Sequence, residues 1–308
     1  MKILVTGING QVGHELARCL SDLKSSEAGA AVEVIALERS SFDLTNAAQM
    51  REVIRALRPH LIVNPAAYTA VDLAESEPAL AMRINGEAPA IIAEEAQRLG
   101  AAMIHYSTDY VFDGSKEASY VETDPTCPIN VYGHTKLAGE RAVQASGVPH
   151  LILRTSWVYG TRGKNFLKTI ERLAGDREEL RIVADQHGAP TWSRTIAEGT
   201  ARAIMQLCAP NGGSSALAIR PERWAEAGGI HHLTAQGATT WHGFASRIVA
   251  AGPRAGLVRV TPIATADYPV PAPRPHNSRM SCARFMQHFG ALPEWDAALM
   301  ACLQTERG

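Results

Sequence analysis

The stretch VTGINGQVG, close to the start of the chain, restricts the fold more than any other. It places Gly7, Gly10 and Gly13 in a GxxGxxG spacing. The apolar run KILVT (2–6) precedes it, and QVGHELARCL follows with Val12, Leu16, Cys19 and Leu20 on one helical face. Strand, glycine turn and helix in that order open a dinucleotide-binding βαβ unit. A side chain at these glycines blocks the tight turn or holds a pyrophosphate away from the backbone N–H groups and the helix N-terminus. Three glycines also fit an ordinary loop; their position between strand and helix is what points to a nucleotide.

The rhythm continues. VEVIAL (32–37), LIVNPAA (61–67), AAMIHYST (101–108) and HLILRTSWVYG (150–160) read as strands. Between them, NAAQMREVIRALRP (46–59) and APAIIAEEAQRLG read as helices stopped by Pro59 and Gly100. Short apolar strands with crossover helices imply an α/β fold with a doubly wound parallel sheet, Rossmann-like, buried on both faces. Beyond about residue 160 the pattern loosens. NFLKTIERLA and RTIAEGTARAIMQLC read as helices and GIHHLTA as a late strand. NGGSS (211–215) and YPVPAPRP (268–275) read as loops, and 209–229 as a mobile surface excursion. The expected division is a dinucleotide-binding domain at 1–160 with returning elements at about 190–235. A smaller C-terminal substrate-binding lobe takes about 161–189 and 236–308.

The end of the second strand should select the cofactor: a carboxylate there suits a free ribose 2′-hydroxyl, an arginine a 2′-phosphate. Glu38 and Arg39 supply both, so NADPH and NADH stay open. Asp43 either faces the adenine or caps the next helix, a task that Thr45 or Asn46 fits better.

NVYGHTK carries Tyr132 and Lys136 four residues apart, on one helical face after the fourth strand. That strand ends in Ser107 and Thr108, at the carboxyl edge where such sheets hold ligands. A phenol with a pKa of about 10 is a sluggish proton donor at neutral pH; a neighbouring ammonium is expected to pull it down by roughly one to three units.

TGINGQVG, STDYVF and YGHTK together resemble the extended branch of the short-chain dehydrogenase/reductase superfamily. The resemblance implies carbonyl reduction by hydride. Tyr132 is then the proton donor, Lys136 its partner and the ribose contact, and Thr108 the hydroxyl on the carbonyl. Dehydratases of this branch carry Thr-Asp-Glu where this chain has Thr108-Asp109-Tyr110, which argues against elimination of water. Longer words resemble the dTDP-4-dehydrorhamnose reductase family across nearly the whole chain, among them RPHLIVNPAAYTAVDLAESEP, HYSTDYVFDG, DQHGAPT and RPHNSRM. That resemblance implies a small-molecule sugar nucleotide, dTDP-4-dehydro-L-rhamnose, as substrate. It adds Gln11, Val12, Leu44, Ala67, Tyr68, Thr69 and Tyr106 to the cofactor contacts, and Asp109 and Trp157 to the deoxysugar contacts. Arg274, Asn277 and Ser278 suit a diphosphate or form a proline-stiffened loop; Gln186 and Asn165 bind the ligand or tie loops. Reduction or epimerisation of another nucleotide-linked keto sugar, and a non-catalytic regulatory subunit, are the alternatives.

The chain departs from the family at Pro65, where a small residue is usual, at the bulky Trp192, and in the long 209–229 segment. Some relatives bridge subunits with a divalent metal such as Mg2+. Glu15 matches one such position but Arg194 stands at another, so no essential metal is expected. A homodimer is left open. With a formal net charge of −1, nothing draws the chain to nucleic acid or a membrane. Five dispersed cysteines without a CxxC fit reduced thiols and a cytoplasmic protein.

Overall fold

The computed structural model describes residues 1–22, 32–209 and 217–307. β1 (Lys2–Val5) leads through the glycine turn into α1 (Gln11–Asp22), followed by β2 (Glu33–Ala36), α2 (Ala47–Leu57) and β3 (Leu61–Asn64). Two short helices, α3 (Val71–Ala74) and α4 (Pro78–Met82), run through a π-helical turn at Arg83–Glu87 into α5 (Ala88–Leu99). β4 (Ala102–Thr108), α6 (Val131–Ala145) and β5 (His150–Thr155) follow. The chain then enters a smaller lobe with β6 (Val158–Tyr159), α7 (Phe166–Asp176), β7 (Glu179–Val183), β8 (His187–Gly188) and β9 (Thr191–Trp192). It returns to the sheet with α8 (Ser193–Cys208), α9 (Pro221–Ala227) and β10 (Gly229–His232). β11 (Thr239–Thr240), α10 (Trp241–Ala251), β12 (Arg259–Ile263), α11 (Ala283–Phe289) and α12 (Trp295–Arg307) complete it.

The main sheet has six strands in the order β10-β5-β4-β3-β1-β2, every neighbour parallel. This is the doubly wound sheet that the sequence implies. From β1 the chain winds first to β2 on one side and then to β3 on the other, so the switch point lies between the carboxyl ends of β1 and β3. Alternation explains the unbroken apolar strands. Ile3, Val5, Leu61, Val63, Ile104 and Leu153 point into one core with α1, α8 and α11. Leu4, Ile62, Met103 and Ile152 point into another with α2, α5 and Val143 of α6.

A third core fills the smaller lobe, with Tyr159, Leu167, Leu180, Trp192, Phe244 and Leu299. Small two-stranded pairings frame it: β7 with β12, β8 with β11, and β6 with β9. Residues 236–308, expected to lie together in that lobe, divide. α10 and α12 pack there, whereas Phe285 and Phe289 of α11 are buried in the first core against the sheet.

Two further expectations are corrected. The strand anticipated over 150–160 breaks: β5 ends at Thr155, Trp157 takes a left-handed backbone (φ 46°), and Val158–Tyr159 pair instead with β9. The excursion over 209–229 includes order at its far end, because Pro221 starts α9 and Trp224 is buried against α8. NGGSS lies outside the described residues.

Candidate active site

The glycine turn stands at the switch point. Gly7 has φ 62°, and a Cβ added there lies 2.8 Å from the Ala66 Cβ in the loop after β3. A Cβ on Gly13 comes 2.2 Å from the Gly7 carbonyl oxygen, so α1 can seat against the turn only with glycine there. Gly10 donates its N–H to the Gly7 carbonyl at 3.0 Å. These positions leave a side-chain-free cradle at the N-terminus of α1, which fits a pyrophosphate. Beside it is a cavity of about 130 Å³ lined by Gly7, Arg39, Asp43, Leu44 and Ala67. Val12 packs at the edge of the first core.

Glu38 lies over the turn. Its carboxylate accepts from the Ser40 hydroxyl at 2.7 Å and the Asn9 amide at 3.2 Å, and these bonds hold it below the usual carboxylate range. Arg39 is exposed and 3.9 Å from Asp43. Asp43 accepts from the Thr45 N–H, while Asn46 caps α2 through the Gln49 N–H. Asp43 is therefore not the cap, and it borders the cavity. On the other side of the turn, Ala67, Tyr68 and Thr69 follow β3, and the Tyr68 hydroxyl donates to Glu77 at 2.7 Å. That bond and burial push the Tyr68 phenol up to about 12.

At the carboxyl edge of β4, Thr108 Oγ1 donates to Asp109 Oδ1 at 2.9 Å and accepts from the Tyr110 N–H at 3.2 Å. The Tyr132 phenol faces the same hydroxyl, and its ring meets the Tyr110 ring edge-on at 5.6 Å. Two glycines set the height of α6. A Cβ on Gly133 is 2.2 Å from the Tyr110 carbonyl oxygen, and one on Gly139 is 2.2 Å from the Asn85 carbonyl oxygen. Lys136 is buried and donates to the Tyr106 carbonyl at 2.6 Å. Burial lowers its ammonium to about 8, with Glu140 acting in the opposite direction.

The expected tuning of Tyr132 by Lys136 is not found. Burial and the nearby Asp109 charge push the phenol well above 10, and the ammonium is directed at a strand carbonyl instead. The phenol is thus a firmly protonated group. Tyr106 has its ring in the first core with its hydroxyl 2.7 Å from Thr200, and it turns its carbonyl to Lys136.

Asp109 is buried, and its Oδ2 makes no hydrogen bond. Desolvation raises this acid to about 6, and the adjacent Ser278 and Thr108 hydroxyls offset part of the rise. Trp157 stacks face to face on Trp241, with centroids 3.7 Å apart. Gln186 holds that slab by accepting from the Trp241 indole at 3.2 Å while donating to Thr265 at 3.1 Å. Gln186 and Trp241 line a cleft of about 490 Å³ together with Tyr110, Phe166, Tyr268 and three cations, Arg177, Arg181 and Arg274. Arg274 is held at 2.9 Å by Asp72.

Two predicted ligand residues have other tasks. Asn165 caps α7 through the Lys168 N–H and donates to Gln11 and the Gly160 carbonyl, so it ties loops. Asn277 donates to the Lys116 and Ala118 carbonyls and accepts from Arg279, which saturates its amide. Asn85 is a residue that the sequence reading missed. In the π-helical turn, its amide accepts from the Tyr68 N–H and donates to the Tyr68 carbonyl and to Thr135 of α6. It thereby locks the loop after β3 to the helix that carries Tyr132.

Glu15 Oε2 is shared by Arg194 at 3.2 Å and Arg18 at 3.3 Å. Among the described residues no group of three His, Cys, Asp or Glu is placed to hold a metal ion. No described helix is long and apolar enough to cross a membrane.

A tyrosine and a lysine one helical turn apart, set at the carboxyl edge of a sheet whose first turn is glycine-built, are what the short-chain dehydrogenases/reductases share, and the chain falls in that class. Residues 1–307 match the family model of the RmlD substrate binding domain. The chain is 49% identical to dTDP-4-dehydrorhamnose reductase from Burkholderia thailandensis, over 99% of this chain and 98% of that one. Its structure is similar to a dTDP-4-dehydrorhamnose reductase from Clostridium acetobutylicum (TM-score 0.86, 34% identity, all of both chains). It is also similar to that of Bacillus anthracis in complex with NADP (TM-score 0.85, 31% identity, 99% of both). The chain belongs to the RmlD, or dTDP-4-dehydrorhamnose reductase, family.

Proposed function

We propose that the protein reduces the C4 ketone of dTDP-4-dehydro-L-rhamnose to dTDP-L-rhamnose with NADPH or NADH as reductant. The observation that carries this reading is the Tyr132 phenol facing the Thr108 hydroxyl at the carboxyl edge of β4, with the buried Lys136 one turn further along α6, in a chain 49% identical to a reductase of that name.

When bound, the reduced nicotinamide supplies the hydride that adds to C4. As negative charge grows on O4, the Thr108 hydroxyl stabilises it and Tyr132 delivers the proton. A phenol held above its usual value is fully protonated at neutral pH, and the sugar alkoxide it meets is more basic still, so the transfer remains downhill. Lys136, anchored on the Tyr106 carbonyl, would supply positive charge for the phenolate left behind and would hold the nicotinamide ribose. The glycine cradle takes the pyrophosphate. The cavity by Arg39 and Asp43 takes the adenosine end, with Glu38 and Arg39 as the groups that meet the ribose 2′ position.

On the substrate side, the Asp109 carboxyl has an oxygen free to accept a sugar hydroxyl, and Ser278 stands beside it. The Trp157–Trp241 slab and Gln186 border the sugar, and Arg274 with Arg177 and Arg181 meets the diphosphate. Elimination of water is not supported. Burial pushes the Tyr110 phenol well up, and it stands where a dehydratase needs a carboxylate base.

The test is to supply dTDP-4-dehydro-L-rhamnose with each reduced nicotinamide, follow oxidation by absorbance and identify the sugar formed. Oxidation is expected with at least one reductant, and Tyr132→Phe should lower kcat by about 10²- to 10⁴-fold while cofactor affinity holds. No oxidation with either reductant overturns the reading.

A further inference from the structure

Tyr132, Lys136 and Glu140 recur every four residues on the face of α6 that meets the sheet. Glu140 is buried, and Arg154 of β5 grips it with two bonds: Nε to Oε1 at 2.8 Å and Nη2 to Oε2 at 2.7 Å. Arg154 is opposite Ser107 in the β4–β5 register, one residue before Thr108. Its guanidinium lies over the Phe112 ring at 5.1 Å, and its Nη1 has no partner. A buried ion pair of this quality is weak as a source of stability, because desolving both charges offsets their attraction. Its position one turn from the buried lysine gives it another use.

We propose that Glu140, clamped by Arg154, is a positioning residue that keeps the Lys136 ammonium charged and fixed beneath the reacting phenol. The inference rests on the role given above to Lys136. Side chains four apart on a helix have Cβ atoms about 6 Å apart, close enough for Glu140 to act as the counter-ion of Lys136 in a site that excludes water. The other groups around the ammonium do not replace it. His105 of β4 is buried and held neutral, and the Tyr106 group is a carbonyl. Asp109 sits on the far side, by the phenol and Thr108. Glu140 also favours the charged lysine, against the burial that lowers it. Arg154 sets the limit: by gripping both carboxylate oxygens it holds Glu140 in place.

The test is kcat/KM against pH, with NADPH and dTDP-4-dehydro-L-rhamnose, for the wild type, Glu140→Gln, and Glu140→Gln combined with Arg154→Met. If the lysine must be charged, the wild-type profile falls on its alkaline side near the lysine value of about 8. Glu140→Gln should bring that limb down by about one pH unit, since Lys136 loses its anion and keeps the Arg154 cation nearby. The double variant, which leaves no buried charge unpaired and so should fold, is expected between the two. Limbs that coincide in all three, with only a uniform drop in rate, overturn the proposal and leave the pair as packing. Should Glu140→Gln not fold, the double variant decides: a limb below the wild type supports the proposal and one at the wild-type position overturns it. Lys136→Met separates the two levels. If it retains wild-type turnover, the role of Lys136 itself fails. If it abolishes turnover while the limb stays fixed in the glutamate variants, only the positioning role fails.

Discussion

Gly133 follows the proposed proton donor directly, and its substitution by alanine measures how tightly α6 must seat. An added Cβ meets the Tyr110 carbonyl oxygen at 2.2 Å, the Pro128 Cβ at 2.9 Å and the Tyr110 carbonyl carbon at 3.1 Å. Two of these contacts are backbone, which cannot rotate away. Restoring an ordinary contact of 3.4 Å to the oxygen requires the helix and the 108–110 segment to part by about 1.2 Å. Overpacking of that kind costs about 1–3 kcal/mol, and alanine recovers roughly 1 kcal/mol through helix propensity, so the net stability loss is about 0–2 kcal/mol. Turnover should suffer more, because a displacement of about 1 Å between reacting groups lowers rate by about 10²-fold. The assay pairs urea unfolding with steady-state reduction of dTDP-4-dehydro-L-rhamnose and a separate NADPH titration. Cofactor affinity should fall less than turnover, since the glycine turn takes no part in the clash. Gly175→Ala in α7, where nothing lies within 4 Å of the new methyl, is the control and should only stabilise, by up to about 1 kcal/mol. Wild-type turnover in Gly133→Ala would refute the claim that helix height sets the geometry of Tyr132 and Thr108.

Burial pushes the Asp109 carboxyl up to about 6 from its ordinary 3.8, so the folded state holds this proton more tightly than the unfolded chain. Its contribution therefore falls as pH rises from about 4 to 6, by on the order of 3 kcal/mol. Asp109→Asn should be more stable than the wild type at pH 7, with the gap narrowing toward pH 4; unfolding curves showing a gap independent of pH contradict this. Tyr159→Phe removes a buried hydroxyl without a partner, so stability should hold or rise by about 1 kcal/mol, and a loss beyond that exposes a missed hydrogen bond. Gly10→Val crowds the cradle 3.3 Å from the Gly7 carbonyl and should weaken NADPH binding; unchanged affinity in a folded variant removes Gly10 from the cofactor site.

Local signals were legible. Apolar strands of four to seven residues, glycines at fixed spacing and a tyrosine one helical turn before a lysine act through neighbours in sequence, and each yields the anticipated element. What the sequence hid depends on contacts made across the chain. Asn165 and Asn277 also hold partners up to 161 positions away, which no local pattern shows. Asn85 is unremarkable in RINGE until the π-helical turn directs it at Tyr68 and Thr135. The state of Tyr132 was misjudged for the same reason. Spacing puts the lysine on the right face, but burial and the direction of its ammonium decide what the phenol feels. At Trp157 the strand breaks into a left-handed residue whose indole stacks on Trp241, a partner that no window of sequence around it reveals.

The repeated traffic of the chain between sheet and smaller lobe has a practical meaning. Phe285 and Phe289 plug the sheet side, and the next helix goes straight back with Leu299 and Leu303. Neither half is a cassette: a graft of everything after the sixth strand of the sheet onto another scaffold would leave the donor's sheet stripped of α11. Changes of sugar preference in this architecture must therefore come from point substitutions within the shared frame rather than from exchange of whole modules.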